Sequence, residues 1–139
     1  MDDLEFLIER RILKLGNVLL NTRNEDLKKY DLTPAQSETL LFYAANPGAS
    51  ILDLKEHLDI SHQAARNLIE RLKLKNLVHA ETSSEDARFK RISLTDHGKE
   101  IYKELTLLGS HVGQNLLKGI SEAEQKDLLR LLMKMSENI

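Results

Sequence analysis

Between residues 61 and 71 the chain sets side chains suited to hydrogen bonding at helical spacing: Ser61, His62, Gln63, Arg66, Asn67 and Arg71. Gln63 and Asn67 carry amides whose donor and acceptor match the N6 and N7 edge of adenine. Arg66 carries a planar guanidinium fork that fits guanine or a phosphate. The first five lie on or beside the helix face opposite Leu68 and Leu72. Any helix with one apolar side also shows a polar outer side, so these residues alone leave both readings open.

Other chemistry finds less support. There are no cysteines, which excludes disulfides and thiolate metal sites. The five histidines are His57, His62, His79, His97 and His111, and no two have the close spacing of a ligand motif such as His-x-x-x-His. A site assembled from His97 or His111 with a first-helix carboxylate is conceivable, with ordinary surface histidines as the plainer reading. No Gly-rich phosphate loop, nucleophile motif or carboxylate dyad is present. The chain is therefore expected to be neither an enzyme nor a holder of a metal or cofactor.

The 139 residues carry a formal net charge of −2, which looks unsuited to a polyanionic partner. The total conceals a local excess. Residues 1–60 carry seven Lys/Arg against eleven Asp/Glu, residues 61–91 seven against four, and residues 92–139 six against seven. The segment charges are thus −4, +3 and −1. A phosphate backbone needs a basic face and not a basic protein. No apolar run is long enough to span a bilayer, and Met1-Asp2-Asp3 lacks the charge pattern of a secretory signal, so a cytoplasmic protein is expected.

The elements that must position the polar segment are marked by local signals. Leu4, Ile8, Ile12, Leu15 and Leu19 predict one apolar stripe on a long helix, about residues 3–29. Thr33, Pro34 and Gln36 form a capping box with proline at the first helical position, and Asn46-Pro47-Gly48 ends that helix. Ser50 with Asp53 opens a short helix, Asp59-Ile60 breaks it, and Ser61 caps the next, whose Ala65, Leu68 and Leu72 face a core. Val78 to Thr82 and Lys90 to Leu94 predict a hairpin around Ser83-Ser84-Glu85-Asp86-Ala87. Thr95 with Asp96, and Ser121 with Glu124, open the last two helices. The order is α-α-α-α-β-β-α-α, mainly α with a small β-hairpin. Two short helices followed at once by a hairpin form a winged helix-turn-helix, whose second helix enters the major groove of DNA.

The run Asp86-Ala87-Arg88-Phe89-Lys90-Arg91-Ile92-Ser93-Leu94-Thr95-Asp96-His97-Gly98 resembles the wing of MarR-type regulators. In that family Asp-x-Arg is followed, across a basic strand, by Leu-Thr and then Gly. The resemblance extends back through Leu32-Thr33-Pro34-Ala35-Gln36, the Ser61 helix, and Ile69-Glu70-Arg71-Leu72 with Leu77-Val78. The terminal helices match in pattern only. Many relatives have Gly where Asn76 stands; Asn is the residue that best replaces it in a left-handed turn. The pair His62-Gln63 also differs and implies an operator of its own.

The resemblance implies that Arg88 reaches the minor groove and that Asp86 holds the wing in shape by pairing with a nearby Arg. A narrow minor groove concentrates negative potential, which suits an arginine on a hairpin tip. Lys90 and Arg91 either contact phosphate or form a solvated strand edge that discourages aggregation. Arg71 either contacts phosphate or partners Asp86.

One domain over residues 1–139 is expected, with a winged lobe at about 32–96 and dimerising helices at about 3–29 and 97–138. The terminal helices carry more apolar surface than a small lobe uses, and relatives pair through them. The expected function is that of a homodimeric repressor on double-stranded DNA, at a pseudo-palindromic operator. A small aromatic or anionic effector is expected in a cleft walled by Leu15, Leu19, Phe42 and Tyr43, although Leu15 and Leu19 equally suit a core. A winged-helix module for protein interaction is the alternative; it has no need of a wing arginine or a polar recognition face.

Overall fold

The computed structural model describes residues 3–82 and 89–139. Six helices and two strands follow in the expected order. They are α1 (Leu4–Lys28), α2 (Pro34–Ala45), α3 (Ile51–Leu58), α4 (His62–Leu74), β1 (Val78–Thr82), β2 (Lys90–Leu94), α5 (Asp96–Leu116) and α6 (Glu122–Ser136). Two compact units divide the chain at 106/107.

Helix starts in the first unit follow their capping side chains. Thr33 accepts from the Gln36 N–H and Gln36 Oε1 accepts from the Thr33 N–H, both at 3.2 Å. Ser50 and Asp53 exchange the same pair of bonds at the head of α3.

Helix ends share a less obvious device. α1, α3 and α4 each stop at a left-handed residue other than glycine: Asp31 (φ 54°), Asp59 (φ 53°) and Asn76 (φ 59°). The next N–H then reaches back five residues, from Leu32 to the Leu27 carbonyl, Ile60 to Lys55, and Leu77 to Leu72. These bonds close Schellman motifs, and short polar side chains make the positive φ tolerable. Leu32 and Leu77 are thereby carried into the core.

The core joins Leu27, Leu40, Tyr43, Leu54, Ala65, Ile69, Leu72, Ile92 and Leu94. On α4 the buried line is Ala65, Ile69 and Leu72; Leu68, expected on it, is only half-buried at its margin. β1 and β2 pair antiparallel with Val78 opposite Leu94 and Thr82 opposite Lys90. The segment before α3, expected only to end a helix, also edges the hairpin: the Gly48 N–H donates to the Ile92 carbonyl at 2.9 Å and the Ile92 N–H to the Ala49 carbonyl at 3.0 Å.

One expectation about α1 is corrected. Its single fully buried residue is Leu27, which the expected stripe omits. Leu27 ends a second line, Phe6, Leu13 and Leu20, spaced by seven and lying on the side away from Leu4, Ile8 and Leu15. Above Leu27 both lines are exposed except at half-buried Leu19, with Leu13 at 59% and Leu4 at 69%.

In the second unit the end of α5 turns through Gly119 (φ 83°) into α6. Ser121 and Glu124 form a capping box, and the bond from the Ser121 N–H holds the Glu124 carboxyl below its ordinary range. No residue of α6 is buried, although Leu128, Leu131, Leu132 and Met135 form an apolar stripe.

Candidate nucleic-acid interface

The left-handed turn at Asp59 lets α3 and α4 follow each other with only Asp59, Ile60 and Ser61 between them. Ser61 caps α4 by accepting from the Ala64 N–H at 3.1 Å. Ala65, Ile69 and Leu72 then fix the rotation of α4 against the core, which sends Ser61, His62, Gln63, Arg66, Asn67 and Arg71 to the exposed side. The first five are exposed on the face expected for them, and Arg71 is exposed as well.

The Gln63 amide donates to Asn67 Oδ1 at 3.0 Å, so the two amides are already oriented as a pair. Glu70 pairs with Lys73 at 3.2 Å. A groove of about 490 Å³ runs beside this face, between the start of α3 at Ile51 and the chain entering β2 at Phe89 and Lys90. His62, Arg66 and Lys73 line its α4 side.

Lys90 and Arg91 are both exposed, but neighbours on a strand point to opposite faces. Lys90 shares the face of buried Ile92 and borders the groove. Arg91 stands on the other face, directly opposite Glu81 in the register. Lys75 is turned inward and also leaves the groove: its Nζ donates to the Asp31 carbonyl and, at 3.1 Å, to Gln36 Oε1. Among the described residues, the basic groups that line the groove are Arg66, Lys73 and Lys90, with Glu70 beside Lys73.

A sequence model of the MarR family matches residues 30–88, the segment holding α2, α3, α4 and β1. Over that segment the chain is similar to the MarR family of transcriptional regulators. Over 132 residues the chain is 26% identical to a Bacillus subtilis (strain 168) protein named uncharacterized HTH-type transcriptional regulator YybA, covering 95% of the chain and 88% of that protein. Its structure is similar to that of the transcriptional regulator SlyA, with TM-score 0.81, 27% identity, and 94% and 92% of the two chains covered. It also shares its fold with MepR in the S. aureus MepR–DNA complex, at TM-score 0.80 and 23% identity over 98% and 99% of the chains.

Two residues expected on the MarR wing, Asp86 and Arg88, lie outside the described residues, as does the partnership of Asp86 with Arg71. Of the four residues expected to wall a ligand cleft, Tyr43 has no exposed surface and its hydroxyl donates to the Ser50 carbonyl at 2.9 Å. That residue belongs to the core and not to an open wall. Phe42 packs edge-on against Tyr43 and stacks on His57 with 4.8 Å between ring centroids. Leu15 is exposed and Leu19 half-buried on α1. The groove residues Ile51 and Lys73 carry no motif in their spacing; only the packing of α3 against α4 brings them together, beside Phe89 at the entry to β2. Among the described residues no three His, Asp or Glu side chains cluster as a metal site, and no helix is long and apolar enough to cross a membrane.

Proposed function

We propose that the chain binds double-stranded DNA as a homodimer at a pseudo-palindromic operator and represses transcription there. The observation that carries this reading is the exposed, hydrogen-bonding first half of α4 beside a groove with Arg66 on one side and Lys90 on the other. α4 enters the major groove, where the Gln63–Asn67 pair and Arg66 read base edges. Lys90 and Arg71 supply phosphate contacts, Arg91 on the opposite strand face a weaker one, and Arg88 follows the minor groove. The fold shared with MepR in its DNA complex supports this pose.

The dimer is supported by the exposed leucines, isoleucines and phenylalanine along α1 and the apolar stripe of α6. A monomer rarely leaves such contiguous apolar surface uncovered, and each large side chain removed from water contributes roughly 1.5–3 kcal/mol. Two-fold symmetry sets the recognition helices about one DNA turn, roughly 34 Å, apart. Release by a small aromatic or anionic effector completes the reading, with Leu15, Leu19 and Phe42 as the candidate cleft wall.

Titration of the protein with its own upstream DNA tests the reading. The expected result is two chains per duplex, saturable binding that withstands random competitor, and loss of affinity in Arg66→Ala and Arg88→Ala. No preference over random DNA at moderate salt would overturn it.

A further inference from the structure

The C-terminal end of α4 is fastened on two sides. On one side, Lys75 reaches 44 residues back along the sequence: its Nζ donates to the carbonyl of Asp31, lies 3.7 Å from the Asp31 carboxylate, and donates to Gln36 Oε1 at 3.1 Å. Asp31 is the left-handed residue that ends α1, and Gln36 is the buried arm of the α2 capping box. The same Gln36 oxygen accepts from the Thr33 N–H, so one acceptor serves both the start of α2 and the end of α4. On the other side, Thr95 Oγ1 donates to the Asn76 carbonyl at 2.6 Å, and the Thr95 N–H donates to the Leu77 carbonyl at 3.0 Å. Gly98, in the first turn of α5, lies so close that a Cβ there would sit 2.0 Å from the Leu77 carbonyl oxygen.

We infer that Lys75 is a positioning residue that fixes the recognition helix to the α1–α2 joint, and so sets the half-site spacing that the dimer accepts. The inference rests on the DNA-binding reading above. A lysine is suited to this place. Its charge stands at the negative end of the α4 dipole, and its ammonium has donors for both carbonyl-type acceptors. Its side chain is only 30% exposed, so the contact is sheltered from water on most sides. The first half of α4 touches DNA and its last turn is held to α1, so rotation at the joint is passed along a stiff helix to Gln63, Arg66 and Asn67.

Lys75→Met keeps the length of the side chain and removes its donors; Lys75→Arg keeps a charged donor; Lys28→Met, at an exposed lysine of α1 that pairs with Glu25, is the control. The probe is the duplex selected by the wild-type protein from a random library, then lengthened or shortened by one base pair between half-sites. Wild type is expected to lose tenfold or more in affinity per inserted pair. Lys75→Met is expected to lose less than threefold, with Lys75→Arg restoring discrimination and Lys28→Met leaving it intact. The slope of log affinity against log salt stays unchanged in Lys75→Met, because no phosphate contact is removed. Wild-type spacing discrimination in Lys75→Met, or a salt slope reduced by about one, would overturn the inference. A second arm needs no DNA. Amide exchange in Lys75→Met is expected to rise together at residues 30–33 and 73–77, and an unchanged joint also overturns it. Failure of wild type to select any duplex would instead count against the DNA-binding reading, leaving the exchange arm to decide the fastening.

Discussion

Gln63 donates its side-chain amide to the Asn67 side-chain carbonyl at 3.0 Å, one turn along the exposed face of α4. This bond uses one Gln63 donor and part of the Asn67 acceptor, and it leaves the Gln63 oxygen and the Asn67 amino group available side by side. Two amides held this way lose less freedom on meeting a base edge than two independent ones.

Gln63→Ala and Asn67→Ala are each expected to weaken operator binding by about 1–3 kcal/mol. The double variant is expected to lose less than the sum, by roughly 1 kcal/mol, because either single change frees the remaining amide. A double-mutant cycle in fluorescence anisotropy measures the coupling; strict additivity would refute a preoriented pair.

Lys90 and Arg91 are adjacent in sequence but stand on opposite faces of the hairpin, with Arg91 across from Glu81. Lys90→Ala is therefore expected to lower the slope of log affinity against log salt by about one, uniformly across sequences. Arg91→Ala is expected to change it by less than half as much. Equal slopes for the two variants would show that the strand face does not sort them.

Asn76 holds a φ of 59° at the end of α4, a conformation that glycine adopts without steric cost. Asn76→Gly is expected to be neutral or stabilising by up to about 1 kcal/mol, and Asn76→Ala destabilising by about 1 kcal/mol. Urea denaturation of the three proteins ranks them, and an alanine variant more stable than the glycine variant would contradict the assignment.

Tyr43 lies fully inside the core, and burial, aided by the charge of Asp53, raises its phenol well above the ordinary value of 10.0. A raised folded-state pKa favours the protonated form. The contribution of Tyr43 is thus fully present below pH 10, and it is lost as the pH rises above the ordinary value and the unfolded phenol ionises while the folded one does not. Above pH 10 this one group lowers stability by about 1.4 kcal/mol per pH unit. Tyr43→Phe is expected to cost about 1 kcal/mol at pH 7, from the lost bond to the Ser50 carbonyl, and to flatten the alkaline fall. Tyr30, also raised by burial and by Glu104 beside it, retains its own share of that fall. Parallel pH profiles for Tyr43→Phe and wild type would rule Tyr43 out as the source.

By itself the sequence determined the elements and the polar face of α4. Thr33 with Gln36, Ser50 with Asp53, and Ser121 with Glu124 act through hydrogen bonds spanning three residues, so their meaning is local and readable without the fold. The two strands keep their expected bounds, because alternation and a polar turn are local as well. Tertiary structure alone decided what those elements do to one another. It paired Gly48 and Ala49 with Ile92, placed Tyr43 in the core, made Leu27 the buried residue of α1, and fastened Lys75 to Asp31 and Gln36. Each depends on the distance and angle between elements far apart in sequence, which packing sets and spacing along one helix or strand does not encode.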